Sequence, residues 1–168
     1  MARLDLKHAG AFGAIGRFED IHLVTFRARI DAESVDLAVR DFEALAQRHP
    51  DKRLGTILVI EPNIPLPDPD IRHVTSRQLT RIQTLSPYRA AVILGDGFWL
   101  SAARSVLTAI QLATLRTAPI HTSESVDAAA KWVCERTSRP LTHIPAILGA
   151  VDELRQAGRV GTSVAQVR

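Results

Sequence analysis

The chain has 168 residues, 46% of them apolar, which suits one domain whose core needs neither disulfides nor metals. Its formal charge of +3 is small, aromatics make up 5%, and no basic run is interleaved with them, so nucleic acid is not an expected partner. A single cysteine, Cys134, leaves no pair for a bridge or a metal, and Met1 to Gly10 carries Arg3, Asp5, Lys7 and His8 with no apolar run behind them. The expectation is a soluble cytoplasmic chain without a secretory leader or transmembrane segment, with Cys134 as a buried structural thiol.

Alternation predicts strands over 11–18 and 21–30, joined by a polar turn at Glu19 and Asp20, with Val24, Phe26, Ala28 and Ile30 on one face. Asp31 then caps a helix in which Val35, Ala38, Val39, Phe42, Leu45 and Ala46 recur at helical spacing until His49-Pro50 stops it. The branched run 54–60 reads as a central strand covered on both faces. After a proline-containing loop, Asp68 as cap and Pro69 at the first helical position begin a second helix to about residue 85, burying Ile71, Val74, Leu79, Ile82 and Leu85.

The apolar run 90–94 is another strand, and Gly95-Asp96-Gly97 is a turn and cap before a long helix over about 98–115. A short strand around Ile120 precedes a helix capped by Ser123 or Ser125, with Val126, Ala129, Ala130 and Val133 inward. A further amphipathic helix over about 145–156 carries Ile144, Ile147, Leu148, Val151 and Leu154, and 158–168 has no lasting period. The order ββαβαβαβα predicts an α/β fold with a mixed, mostly parallel sheet, helices packed on it, and an extra C-terminal helix.

That order resembles the STAS-like superfamily, which includes anti-sigma-factor antagonists and the SpoIIAA-like group, over residues 11–135. The local support lies in LVTFRARIDAESVD at 23–36, GDGFWLSAARSVL at 95–107 and SVDAAAKWV at 125–133, where Ala129 precedes Trp132 by three as in the last helix of SpoIIAA-like proteins. On this resemblance 11–135 is a STAS-like domain, 136–158 a helical extension and 159–168 a flexible tail. The resemblance implies a switch or docking module with no chemistry of its own. The phosphorylatable antagonists open the helix after the central strand with a serine; here Pro67, Asp68, Pro69 and Asp70 stand there, with Thr75 and Ser76 two turns in.

No GxSxG run or local Ser/His/Asp spacing points to hydrolysis, and the six histidines, His8, His22, His49, His73, His121 and His143, form no HxxxH or HExxH pair. No cofactor and no enzymatic activity are expected. His73, Arg77 and Arg81 recur every fourth residue, a cationic ridge suited to an acidic partner. The long helix is apolar over more than half its circumference, so something beyond the sheet must cover it.

The C-terminal helix folding back is the first candidate cover, a homodimer partner the second, an amphiphile the third. The function expected is regulation or docking by protein contact, with Trp99, Leu148, His73, Arg77 and Arg81 as contact residues. Its competitor is a carrier or sensor of a small amphiphilic or lipid ligand, held between sheet and long helix around Phe98, Trp99 and Leu107.

Overall fold

Two hairpins open the structure, a computed structural model that describes residues 3–50, 54–85, 88–114 and 119–165, with side chains as far as Arg159. β1 (Asp5–Gly10) pairs antiparallel with β2 (Gly13–Phe18), and β2 with β3 (Ile21–Phe26) through the predicted turn at Glu19 and Asp20. The first strand is absent from the sequence reading for a physical reason. It is an edge, with Asp5, Leu6 and His8 exposed and the register shifting between Leu6 and His8, and edge strands are commonly charged and bulged. β3 also ends four residues earlier than alternation predicts. The N–H groups of Arg27 and Ala28 both donate to Phe12 O (2.8 and 3.3 Å), which turns the chain out of the sheet and leaves Ala28 exposed.

Helix α1 (Ala32–Arg48) starts in a capping box: Ser34 N–H donates to Asp31 Oδ1 at 2.8 Å, and Asp31 N–H donates to Ser34 Oγ at 3.1 Å. β4 (Gly55–Ile60) lies parallel to β3, and α2 (Pro69–Ile82) follows with Asp68 Oδ1 accepting from Ile71 N–H at 2.9 Å. α2 stops short of Leu85, which is 41% exposed rather than on a buried side. β5 (Tyr88–Ile93) starts two residues before the apolar run that announces it, which brings Arg89 into the sheet. α3 (Gly97–Ala113) follows; its predicted end at Leu115 lies outside the described residues. β6 (His121–Ser123) pairs with β5, and Ser125, not Ser123, caps α4 (Val126–Arg136) by accepting from Ala128 N–H at 3.1 Å. A 3-10 turn, Leu141–His143, leads into α5 (Ile144–Ala165), which runs on past Gly158 where the sequence reading expects periodicity to end; 166–168 lie outside the described residues.

The architecture is α/β, with one six-stranded sheet in the order β1-β2-β3-β4-β5-β6, antiparallel through the hairpins and parallel from β3 onward. Because each parallel strand is added on the same side of the last, right-handed crossovers put α1, α2 and α3 on one face. α4 and α5 take the other. Ile147, Val151 and Leu154 of α5 are buried with Ala14, Phe18 and Leu23 of the hairpins. This corrects the expectation that the C-terminal helix folds back on the long helix: α5 covers the opposite side of the sheet.

The two faces are packed differently. On the α4/α5 side the layers meet through small residues, Ala90, Ala129 and Ala130, and Gly55, where a Cβ would lie 2.3 Å from Val133 Cγ1. On the other side α2 packs mainly on α1 and α3 and stands off the strands. The alternation along β4 records the result: Gly55, Ile57 and Val59 are buried, whereas Thr56, Leu58 and Ile60 are only half-buried.

Candidate functional site

A cavity of about 140 Å³ fills the space beneath α2. Its floor is the sheet, chiefly Val24, Phe26, Leu58 and Ile60; its roof is Thr75, Leu79 and Ile82 of α2. α1 supplies Val35 and Val39, α3 supplies Ala103, Leu107 and Ile110, and the loop after β4 closes one side with Ile64, Pro65, Leu66 and Pro67. These walls are almost wholly apolar, which is the common character of small-molecule sites.

Polar groups gather at one level of the floor. Strand register sets Arg17 beside His22, His22 beside Thr56, and Thr56 beside Arg89, one residue from each of β2, β3, β4 and β5. His22, Thr56 and Arg89 line the cavity. Arg17 is held by Asp41 of α1: Nε donates to Oδ2 at 3.0 Å, while Nη2 donates to Oδ1 at 2.5 Å and to the Asp41 carbonyl at 3.0 Å. His22 Nε2 lies 3.3 Å from Asp41 Oδ2, and its ring meets Phe42 edge-on at 5.5 Å.

Burial would raise the Asp41 carboxyl, but the close approach of His22 and the hydrogen bonds and charge of the Arg17 guanidinium outweigh it and bring its pKa to about 2. Burial lowers the His22 pKa, and the Asp41 contact only partly offsets this, so the imidazole is neutral at pH 7. Arg89, 4% exposed, is lowered by burial to about 10 and keeps its charge at that pH.

The residues singled out in the sequence fall in several places. Leu107 lines the cavity. Phe98 does not, being 89% exposed on the first turn of α3, and Trp99 instead pins the loop after β4, its Nε1–H donating to Ile64 O at 3.0 Å. His73, Arg77 and Arg81 are all exposed on α2, and Arg81 Nη2 reaches Glu43 Oε2 of α1 at 2.7 Å. Leu148 is half-buried on α5, so it and Trp99 lie on opposite faces of the sheet and share no surface. Ser76 is buried, and its hydroxyl and that of Thr75 donate to carbonyls four residues back. Cys134 is buried, and burial followed by the Glu135 charge pushes its thiol pKa up.

Arg17, His22, Asp41, Thr56 and Arg89 escape sequence reasoning as a group. The signal available was Asp41 on the margin of the α1 apolar stripe, three residues after Ala38 and four before Leu45. Among the described residues no cluster of His, Cys, Asp and Glu could hold a metal, and no helix is long and apolar enough to cross a membrane. No family model, curated protein or solved structure matches the chain.

Proposed function

We propose that this protein is a binding module, a carrier or sensor, that encloses a small apolar or amphiphilic molecule between its sheet and α1–α3. The observation that carries the reading is the cavity under α2, which leaves Thr56, Leu58 and Ile60 of the central strand half-buried. Unfilled, the apolar side chains around this space lack part of the packing contacts that a filled core makes. An occupant restores those contacts. The volume also limits it, since cavities of about 150 Å³ lined by Leu, Ile and Phe hold a benzene-sized group. A compact ring or short branched chain fits, and a long-chain lipid would need the walls to move.

Thermal unfolding with toluene as probe tests this. The midpoint of the wild-type chain is expected to rise by about 2–4 °C at saturating probe, and Leu58→Trp, which fills the floor, is expected to abolish the rise. An unshifted wild type, or an equal shift in Leu58→Trp, removes the basis of the reading.

A second reading, docking as a STAS-like regulatory module, is favoured by the outer side of α3. At about 100° per residue, Phe98, Ser105, Ala109 and Leu112 fall close to one line. All four are exposed, Phe98 by 89% and Leu112 by 56%. A row of small residues between two large apolar ones suits the same helix of a second copy. On this reading the chain is a dimer by light scattering and Phe98→Glu makes it a monomer; a monomeric wild type sets the reading aside.

A further inference from the structure

We propose that the occupant is a neutral ring or short chain bearing one hydroxyl, a phenol or a small alcohol. Its hydroxyl donates to His22 Nδ1 and accepts from the Thr56 hydroxyl, while its apolar body lies over Val24 and Leu58. The inference rests on the binding-module reading and adds the class of ligand.

Strand register is the first support. His22 and Thr56 are partners across β3 and β4, both line the cavity, and the next inward level along the same strands is Val24 and Leu58. Neighbouring strands lie about 4.8 Å apart, a span that one oxygen bridges with two hydrogen bonds of about 2.8 Å. The floor is polar at the N-terminal ends of these strands and apolar beyond them. An occupant with a single polar group has one orientation in such a space.

Hydrogen-bond sense is the second. His22 Nε2 lies 3.3 Å from Asp41 Oδ2, and a lone pair on that nitrogen would face an ionised carboxylate, so the one proton of the neutral ring belongs on Nε2. Nδ1 is then the acceptor. Among the described residues nothing donates to it, and whereas Nε2 is sealed in the core, Nδ1 is not. The Thr56 hydroxyl, half-buried and without a hydrogen bond to any described residue, can donate and accept. An acceptor on one side and a hydroxyl on the other select a group that donates and accepts at once.

Other ligand chemistries meet this pair less well. A carboxylate would set an oxygen against the His22 lone pair. An ammonium would find no counter-charge in the walls, because none of the described residues lining the cavity is acidic. A bare hydrocarbon fills the space but leaves Nδ1 and the Thr56 hydroxyl unmet. Arg89, next in the row, is engaged in an interaction of its own and is not needed to hold the hydroxyl. Size agrees, because a space of about 140 Å³ takes one ring with its hydroxyl.

Phenol and toluene match in size and differ by a hydroxyl for a methyl, and benzoate carries a charge, so calorimetric titration of the full chain with the three separates the claims. Phenol is expected to bind at least about tenfold tighter than toluene. Thr56→Val, which keeps the shape and removes the hydroxyl, is expected to reduce that preference at least about fivefold while toluene changes by less than about threefold. Toluene binding with no phenol preference, or a preference that survives Thr56→Val, overturns the hydroxyl assignment and leaves the binding-module reading standing. Tighter binding of benzoate than of phenol overturns the neutral ligand. Binding of none of the three sinks both. If Thr56→Val does not fold, the His22 Nδ1 resonance of the wild type decides: it should move on adding phenol and stay put with toluene, and equal responses or no response count against the proposal.

Discussion

Arg17 sits at 5% exposure with three hydrogen bonds to Asp41, and the pair gains from being together chiefly because either partner alone would be a charge stranded in the core. Arg17→Met is therefore expected to cost about 3–5 kcal/mol in urea unfolding, while Arg17→Met combined with Asp41→Leu should recover most of the loss. If the double variant is as unstable as the single one, the pair is doing something besides compensating charge. His22 gives the pH dependence. Burial sets its folded pKa below the ordinary 6.5, so as pH falls below that value the unfolded chain takes up a proton that the folded chain refuses. Stability is full above about pH 6.5 and declines as acid is added, with Asp41 adding its own loss only between its ordinary 3.8 and about 2. The urea midpoint should thus fall between pH 7.5 and 5.5, and His22→Phe, which keeps the edge contact with Phe42, should flatten that slope. A slope unchanged in His22→Phe assigns it to other groups. Neither residue is legible as buried from the sequence, because an Arg or His inside an alternating strand reads as its solvent face until a partner such as Asp41 is placed opposite.

Elements were easier to read than their edges. Caps at Asp31 and Asp68 fixed two helix starts because a short polar side chain before an apolar period leaves little choice, and the proline at 69 sharpened one of them, whereas two nearby serines left the start of α4 open between Ser123 and Ser125. Boundaries set by tertiary hydrogen bonds were not readable: Phe12 O ends β3, and pairing with Thr56 draws Arg89 into β5 although it precedes the apolar run. The pocket residues followed the same division. Leu107 was legible as an inward residue of α3, but the direction of Trp99 depended on a loop carbonyl that no periodicity reveals. Helix-to-sheet distance was legible only in part, through glycine. Gly55 admits α4 to within contact of β4, and an added Cβ would stand 2.3 Å from Val133 Cγ1. Gly55→Ala should therefore cost about 1–3 kcal/mol through overpacking, and adding Val133→Ala should give part of that back. Costs that simply add in the two variants would mean that Gly55 matters for its backbone and not for the approach of α4.

At the scale of the molecule, the strand order has consequences for where a ligand can go. In open α/β sheets the usual crevice lies where the strand order reverses. Here the order runs from β1 to β6 without reversal, and the cavity lies instead between layers, under a helix that stands off the sheet. Such looseness on one face requires the other to supply the stability, and α5 is where that demand falls. Ile147, Val151 and Leu154 are each at most 1% exposed, and full burial of such side chains is worth about 1.5–3 kcal/mol apiece. Arg155 ties the same helix to the loop after β4 through Glu61, with Nε to Oε1 at 2.5 Å and Nη2 to Oε2 at 3.0 Å. Gly158 lets the helix run on over Gly13, whose own Cβ would fall 1.9 Å from Thr25 O at its φ of +148°. A chain stopped after Arg136 loses all of this and bares Phe18 and Leu23 of the hairpins. It is expected to aggregate or bind a hydrophobic dye at concentrations where the full chain gives a single mass by light scattering. A truncated chain that stays monodisperse and keeps the full chain's unfolding midpoint would mean that the hairpin face closes by other means, and that α5 is free to serve as a contact surface.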